Sequence, residues 1–123
     1  MQEIFEENKS EMLYGAIAWT PMLVTDNVDA ANERETRFSD SRVTNFWDPN
    51  RILGQYLSQT LRLKTSTAWD VYLVYPPSHH WNTELPPMPE FWMHQLDEDQ
   101  AFFFNPPRLK WTVQAMIDRE KHA

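Results

Sequence analysis

Apolar and polar positions alternate in short blocks along this chain, and the blocks change period several times. Met12–Trp19 (MLYGAIAW) is continuously apolar and short, bounded by Glu11 and by Thr20-Pro21, which predicts a first strand buried on both faces of a parallel sheet. Before it, Glu3 to Lys9 reads as the end of a helix carrying only Ile4 and Phe5 as apolar residues. After the Pro21 break, Asp26 caps an expected surface helix running to Phe38, with Val28, Ala31 and Phe38 on its thin apolar side and a charged NERETR face. Arg42–Trp47 (RVTNFW) then predicts the second strand of a βαβ unit. Its pairing with the first is expected to be parallel, through a right-handed crossover.

Asp48-Pro49 predicts the next helix, with Asp48 as cap, Pro49 at the first helical position and Ile52, Leu53, Tyr56, Leu57 and Leu61 at helical spacing. Ala68–Tyr75 (AWDVYLVY) and Phe91–Leu96 (FWMHQL) are rich in β-formers and are expected to be antiparallel neighbours. Between them, Pro76–Pro89 (PPSHHWNTELPPMP) holds five of the nine prolines, which makes the connection stiff and extended, a functional loop or a packed Ω-loop. The last helix is capped by Asn105 and opened by Pro106-Pro107, with Leu109, Val113, Met116 and Ile117 on one face and Trp111 nearby.

Composition narrows the function classes. At 123 residues, 41% hydrophobic and 14% aromatic, the chain owns the core of a single domain despite a mean hydropathy of -0.64. A net charge of -7 argues against binding a phosphate backbone, so no nucleic-acid partner is expected. Two glycines, Gly15 and Gly54, cannot write a phosphate-cradling loop. The absence of cysteine removes thiolate nucleophiles, disulfides and Cys-ligated metals together. No stretch reads as a signal peptide or a membrane span, so no membrane partner is expected, and the chain is expected in the cytoplasm if Met1 is its true start.

The segments IAWTPMLVTDN, SDSRVTNFWDPNRILGQYL and AWDVYLVYPP resemble an uncharacterised bacterial family of thioredoxin-like proteins, related in layout to peroxiredoxins and thiol-disulfide oxidoreductases. The resemblance spans about Tyr14 to Pro77 and implies an α/β fold: a thioredoxin-like, mixed four-stranded sheet flanked by helices. It also implies a Cys-x-x-Cys turn, which this sequence lacks. Two readings follow. In one, the strand and turn that bear the dithiol precede Met1 and the chain is N-terminally incomplete relative to the family. In the other, Met12–Trp19 is the fold's own first strand, Trp19-Thr20-Pro21-Met22 stands where the dithiol would be, and this strand hydrogen-bonds antiparallel to Ala68–Tyr75. Where the family places a cis-proline, Thr65-Ser66-Thr67-Ala68 stands instead, and no catalytic residue carries over.

Other constellations are weaker. His79 and His80 beside Trp81, with His94 on the following strand, form the one metal-like grouping, but adjacent loop histidines point apart and leave a first shell incomplete. A solvated pair is expected, with no metal and no cofactor. Trp47-Asp48 and Trp69-Asp70 lack the period and glycines of a propeller. The two aspartates are expected to cap and to face water, while Trp19, Trp47, Trp69 and Trp92 are expected in the core. Phe102-Phe103-Phe104 precedes the Asn105 cap, and three consecutive rings cannot all turn inward from extended backbone. The expected function is therefore a thioredoxin-like domain without redox turnover. The alternative is a module that binds a protein partner through the Pro76–Pro89 loop, with His79, His80 and Trp81, and through Phe102, Phe103 and Phe104.

Overall fold

The computed structural model describes residues 2–21 and 40–122, in two compact units, Met1–Ile52 and Leu53–Ala123. The expected Asp26–Phe38 helix, and with it the hand of the crossover, lies outside the described residues.

In the first unit, helix α1 (Gln2–Glu7) buries Ile4 and Phe5. Strands β1 (Gly15–Trp19) and β2 (Val43–Trp47) pair in parallel, from Gly15 opposite Val43 to Trp19 opposite Trp47, as the βαβ reading requires. β1 begins later than Met12 because the preceding residues form a turn: the Ser10 hydroxyl accepts from the Met12 amide at 3.1 Å and its carbonyl from Leu13 at 3.3 Å. Nor is β1 buried on both faces. Both strands alternate half-buried and exposed residues, leaving Ala16, Ala18, Thr44 and Phe46 outward.

What ties α1 to β2 is one guanidinium. The Arg42 Nη atoms donate to the carbonyls of Phe5 (2.7 Å), Asn8 (2.7 Å) and Ser10 (3.0 Å), satisfying acceptors that a helix end leaves over. Nε and Nη2 grip the two Asp40 oxygens at 3.0 and 2.8 Å, so all five donors of the fork are used. The Arg42 side-chain bonds hold the Asp40 carboxyl down at about 2, from an ordinary 3.8.

The second unit begins one residue into helix α2 (Ile52–Leu61). The Asp48 carboxylate does accept from the Ile52 amide at 3.0 Å, but Pro49 is not the first helical residue. Pro49-Asn50 form a turn, and Arg51, at φ 58°, sits in the left-handed region that no α-helix contains. Gly54 has a direct reason to be glycine: its carbonyl accepts from Ala68 N at 2.7 Å, and a Cβ there would lie 2.7 Å from the Ala68 carbonyl and from Thr67 Cγ2.

Strands β3 (Val71–Val74) and β4 (Phe91–His94) pair antiparallel, Val71 opposite His94 and Val74 opposite Phe91. β3 is shorter than Ala68–Tyr75 because Asp70, at φ 54°, breaks the extended run. Helix α3 (Pro106–Lys121) has the expected start: Asn105 Oδ1 accepts from Arg108 N at 3.1 Å and both prolines occupy the first turn. Its inward residues are Leu109, Val113 and Ile117; Trp111, 72% exposed, lies off that stripe. With Leu57, Leu61, Ala68, Trp92 and Met93 they make the unit's core, to which Trp69, 37% exposed, does not belong. The described residues thus carry two sheets of two strands each, where the resemblance implies one mixed sheet of four.

Candidate functional site

Both segments singled out in the sequence lie in the second unit, and each is fastened to different neighbours. The proline-rich loop packs rather than dangles. Pro76, Pro86 and Pro89 are buried, Tyr75 Oη donates to the Pro87 carbonyl at 2.8 Å, and Thr60 Oγ1 donates to that of Pro86 at 2.9 Å. Trp81 is braced by its indole N–H on the Thr83 carbonyl, at 2.8 Å, and meets Tyr56 of α2 edge to face with centroids 6.1 Å apart. The loop is therefore a packed Ω-loop with three of its five prolines, Pro76, Pro86 and Pro89, turned inward, and its exposed tip presents His79, His80 and Trp81.

No group of three His, Cys, Asp or Glu among the described residues is arranged to hold a metal ion. His79 and His80 are exposed, and His79 N donates to the Pro76 carbonyl at 3.2 Å, while its ring lies 6.1 Å from that of Tyr75. His94 is not an ordinary strand residue: it is fully buried and both ring nitrogens are used. Leu96 N–H donates to Nδ1 at 3.0 Å, which puts the ring proton on Nε2, donated to the Asp99 carbonyl at 2.7 Å. His94 thereby pins the turn that leads into the phenylalanines.

That turn begins at Asp99, whose carboxylate accepts from Ala101 N at 3.0 Å and caps the short 3-10 helix Gln100–Phe102. Phe103 then bridges His94 in parallel, and Phe104 N donates to the His94 carbonyl at 2.8 Å, so the segment lies along β4 as a partial third strand. Each phenylalanine takes a separate aromatic partner. Phe102 stacks on Trp92 (4.8 Å, 13°), Phe103 meets His94 edge to face (5.7 Å, 87°) and Phe104 stacks on Tyr72 (4.3 Å, 14°). As the sequence requires, not all three turn inward: Phe104 is half-buried, but Phe102 and Phe103 remain 38% and 43% exposed. The result is a fixed aromatic ledge.

On the chain between β4 and the ledge, an open depression of about 470 Å³ is lined by Lys64, Thr65, Trp69, Gln95, Leu96, Asp97 and Glu98. Glu98 is only 8% exposed, and its Oε1 accepts from the amides of Lys64 (2.8 Å) and Thr65 (3.2 Å). Beside it, Tyr72 Oη donates to Gln95 Oε1 at 2.7 Å. Burial pushes the Asp70 carboxyl up, and burial followed by the Asp70 charge pushes the Tyr72 phenol up.

Sequence reasoning did not single out Glu98, which stands between two exposed acidic residues, Asp97 and Asp99, and is itself buried. No spacing signal marks it, because residues 95–98 form bends beyond β4 and the alternation of side chains along a strand does not extend to them. Asp48 caps and Asp70 shapes a bend, so neither forms the paired carboxylates of acid-base catalysis. No helix of the described residues is long and apolar enough to cross a membrane. No protein-family model, curated protein or solved structure matches the chain.

Proposed function

We propose that this chain is a protein-binding domain without redox turnover, and that the Phe102–Phe103 ledge is its recognition surface. The observation that carries the reading is the combination of exposure and fixation at two adjacent rings, each held by a partner on β4. A surface that is aromatic, ordered and open loses little side-chain entropy when a partner covers it. Isolated exposed rings such as Trp111 need no such explanation. The loop tip at His79, His80 and Trp81 is a second contact of the same domain. A thioredoxin-like ancestry is supported by the order of a parallel pair, an antiparallel pair and a terminal helix, and with no cysteine no thiolate is present to attack a disulfide.

The test is a selection of peptides from a random library on the immobilised full chain. Enriched peptides should bind the wild-type chain and lose about tenfold or more in affinity on Phe103→Ser, the scale of a buried aromatic anchor. Peptides indifferent to Phe102→Ser and Phe103→Ser, or no enrichment, would contradict the reading.

A further inference from the structure

The two outer edges of the β3–β4 sheet are treated differently. Beyond β4, Phe103 bridges His94 and Phe104 N donates to the His94 carbonyl, so that edge is covered. The β3 edge is open. On its inner side the Asp70 carbonyl accepts from Gln95 N at 3.0 Å, and Tyr72 and Val74, in step with Asp70, turn their backbone groups toward Met93 and Phe91. The N–H and C=O groups of Val71 and Leu73, and after them Tyr75, point away from β4 and have no hydrogen-bond partner among the described residues. Natural edge strands are commonly guarded by lysine, proline, a bulge or an inward charge. Val71–Val74 (VYLV) contains none of these, and its only guard is its length of four residues.

We propose that β3 pairs antiparallel with β3 of a second copy of this chain, across a two-fold axis at Leu73, joining two two-stranded sheets into one. The run Val71–Tyr75 (VYLVY) is complementary to itself: turned about Leu73 it sets Val71 opposite Tyr75, Tyr72 opposite Val74 and Leu73 opposite Leu73. This register is the one the open backbone groups require, because the outward residues Val71, Leu73 and Tyr75 meet one another. Each tyrosine falls against a valine, a favourable aromatic and β-branched pair, and no charge lies opposite its like. Asp70, turned off the extended run at φ 54°, and Pro76, which has no N–H, end the pairing on both sides, so the contact is isologous and closes as a dimer. A two-stranded sheet is marginal by itself and gains neighbours this way. The paired run is far smaller than the roughly 20–30 residues a side of a standard interface, so the dimer is weak and depends on concentration. A charge of -7 on each copy opposes it, and salt strengthens it. The ledge lies beyond β4, away from the β3 edge, so pairing leaves both ledges open.

Sedimentation equilibrium of the full chain from about 1 μM to 1 mM, the span of weak association, should show a monomer–dimer equilibrium that moves toward dimer as salt is raised. At the upper end, an equimolar mixture of isotope-labelled and unlabelled chain should give intermolecular magnetisation transfer between Val71 and Tyr75 and across Leu73. Leu73→Lys sets like charges on the axis and should weaken association about tenfold or more. Mixing Leu73→Lys with Leu73→Glu should restore the dimer, which repair of a folding defect would not explain. A monomer at every concentration, a dimer lacking those contacts, a Leu73→Lys chain that associates like wild type, or folded charge variants that fail to pair would overturn the inference. Where an amide spectrum shows a variant unfolded, the contacts in the wild-type mixture decide. Peptides that bind the ledge of a strictly monomeric chain would leave the protein-binding reading standing, and a dimer without ledge binding would do the reverse.

Discussion

The first unit is held by a polar clamp and the second by an apolar core, and the two respond to different insults. In the first, the buried apolar residues among those described are Ile4 and Phe5, the sheet leaves Ala16, Ala18 and Phe46 outward, and Arg42 supplies the fixed geometry with five hydrogen bonds. In the second, Leu57, Leu61, Ala68, Trp92, Met93, Leu109, Val113 and Ile117 form a buried core, and the exposed rings of Trp81, Phe102 and Phe103 are propped on aromatic partners. A core tolerates acid and salt but not lost volume, whereas a clamp tolerates neither the loss of its charge nor the loss of its fork geometry. A surface meant to be recognised gains from standing on the former, where the anchor rings cannot wander.

Removing volume from the second unit should have the largest effect. Ile117→Ala is expected to destabilise that unit by about 2–5 kcal/mol in denaturant unfolding; a loss below about 1 kcal/mol would mean that α3 is not part of a continuous core. Gly54→Ala comes next. Its Cβ would meet backbone at 2.7 Å, so overpacking of about 1–3 kcal/mol should outweigh the helix propensity gained, which is at most about 1 kcal/mol. A stabilised Gly54→Ala protein would show that α2 can move away from Ala68. Asn105→Ala removes the α3 cap and should cost about 1 kcal/mol, read as faster amide exchange over Arg108 and its neighbours.

The smallest effects are electrostatic and of opposite sign in the two units. Asp40 is held at about 2, below its ordinary 3.8, so its contribution is present above that ordinary value and is lost as pH falls through about 2. Asp70 is raised by burial, so its contribution is complete below the ordinary value and is lost as pH rises through its higher folded value. Carboxyl resonances followed from pH 6 downward should titrate in the order Asp70, then Asp40, and Arg42→Lys should move Asp40 back toward 3.8 without moving Asp70. Coincident titration would show that the clamp does not exist in solution.

Local signals carried much of this fold. Parallel β1–β2, antiparallel β3–β4 and the Asn105-Pro106-Pro107 start of α3 all follow from period, propensity and capping chemistry, which act over a few residues. Two element bounds slipped where a single residue adopts φ above zero, Arg51 delaying α2 past Pro49 and Asp70 shortening β3, while β1 starts late because the turn at Ser10 precedes it. The candidate site was legible in part. A run of three phenylalanines had to leave some ring exposed, but which aromatic each would meet depends on the register of β4, set by long-range pairing. The buried Glu98 was invisible for the same reason, since its partners Lys64 and Thr65 are 34 and 33 residues away, whereas the His94 partners, Leu96 and Asp99, are local and follow from the conformation of the turn.

The central claim is that recognition belongs to the ledge of the second unit and not to the open sheet of the first, which also exposes rings at Tyr14 and Phe46. Calorimetric titration of one library-selected peptide against three proteins tests it most directly: wild type, Phe102→Ser/Phe103→Ser, and Tyr14→Ser/Phe46→Ser. The account predicts a loss of about tenfold or more for the ledge variant and unchanged affinity for the sheet variant. Unchanged binding by the ledge variant together with loss in the sheet variant would contradict it.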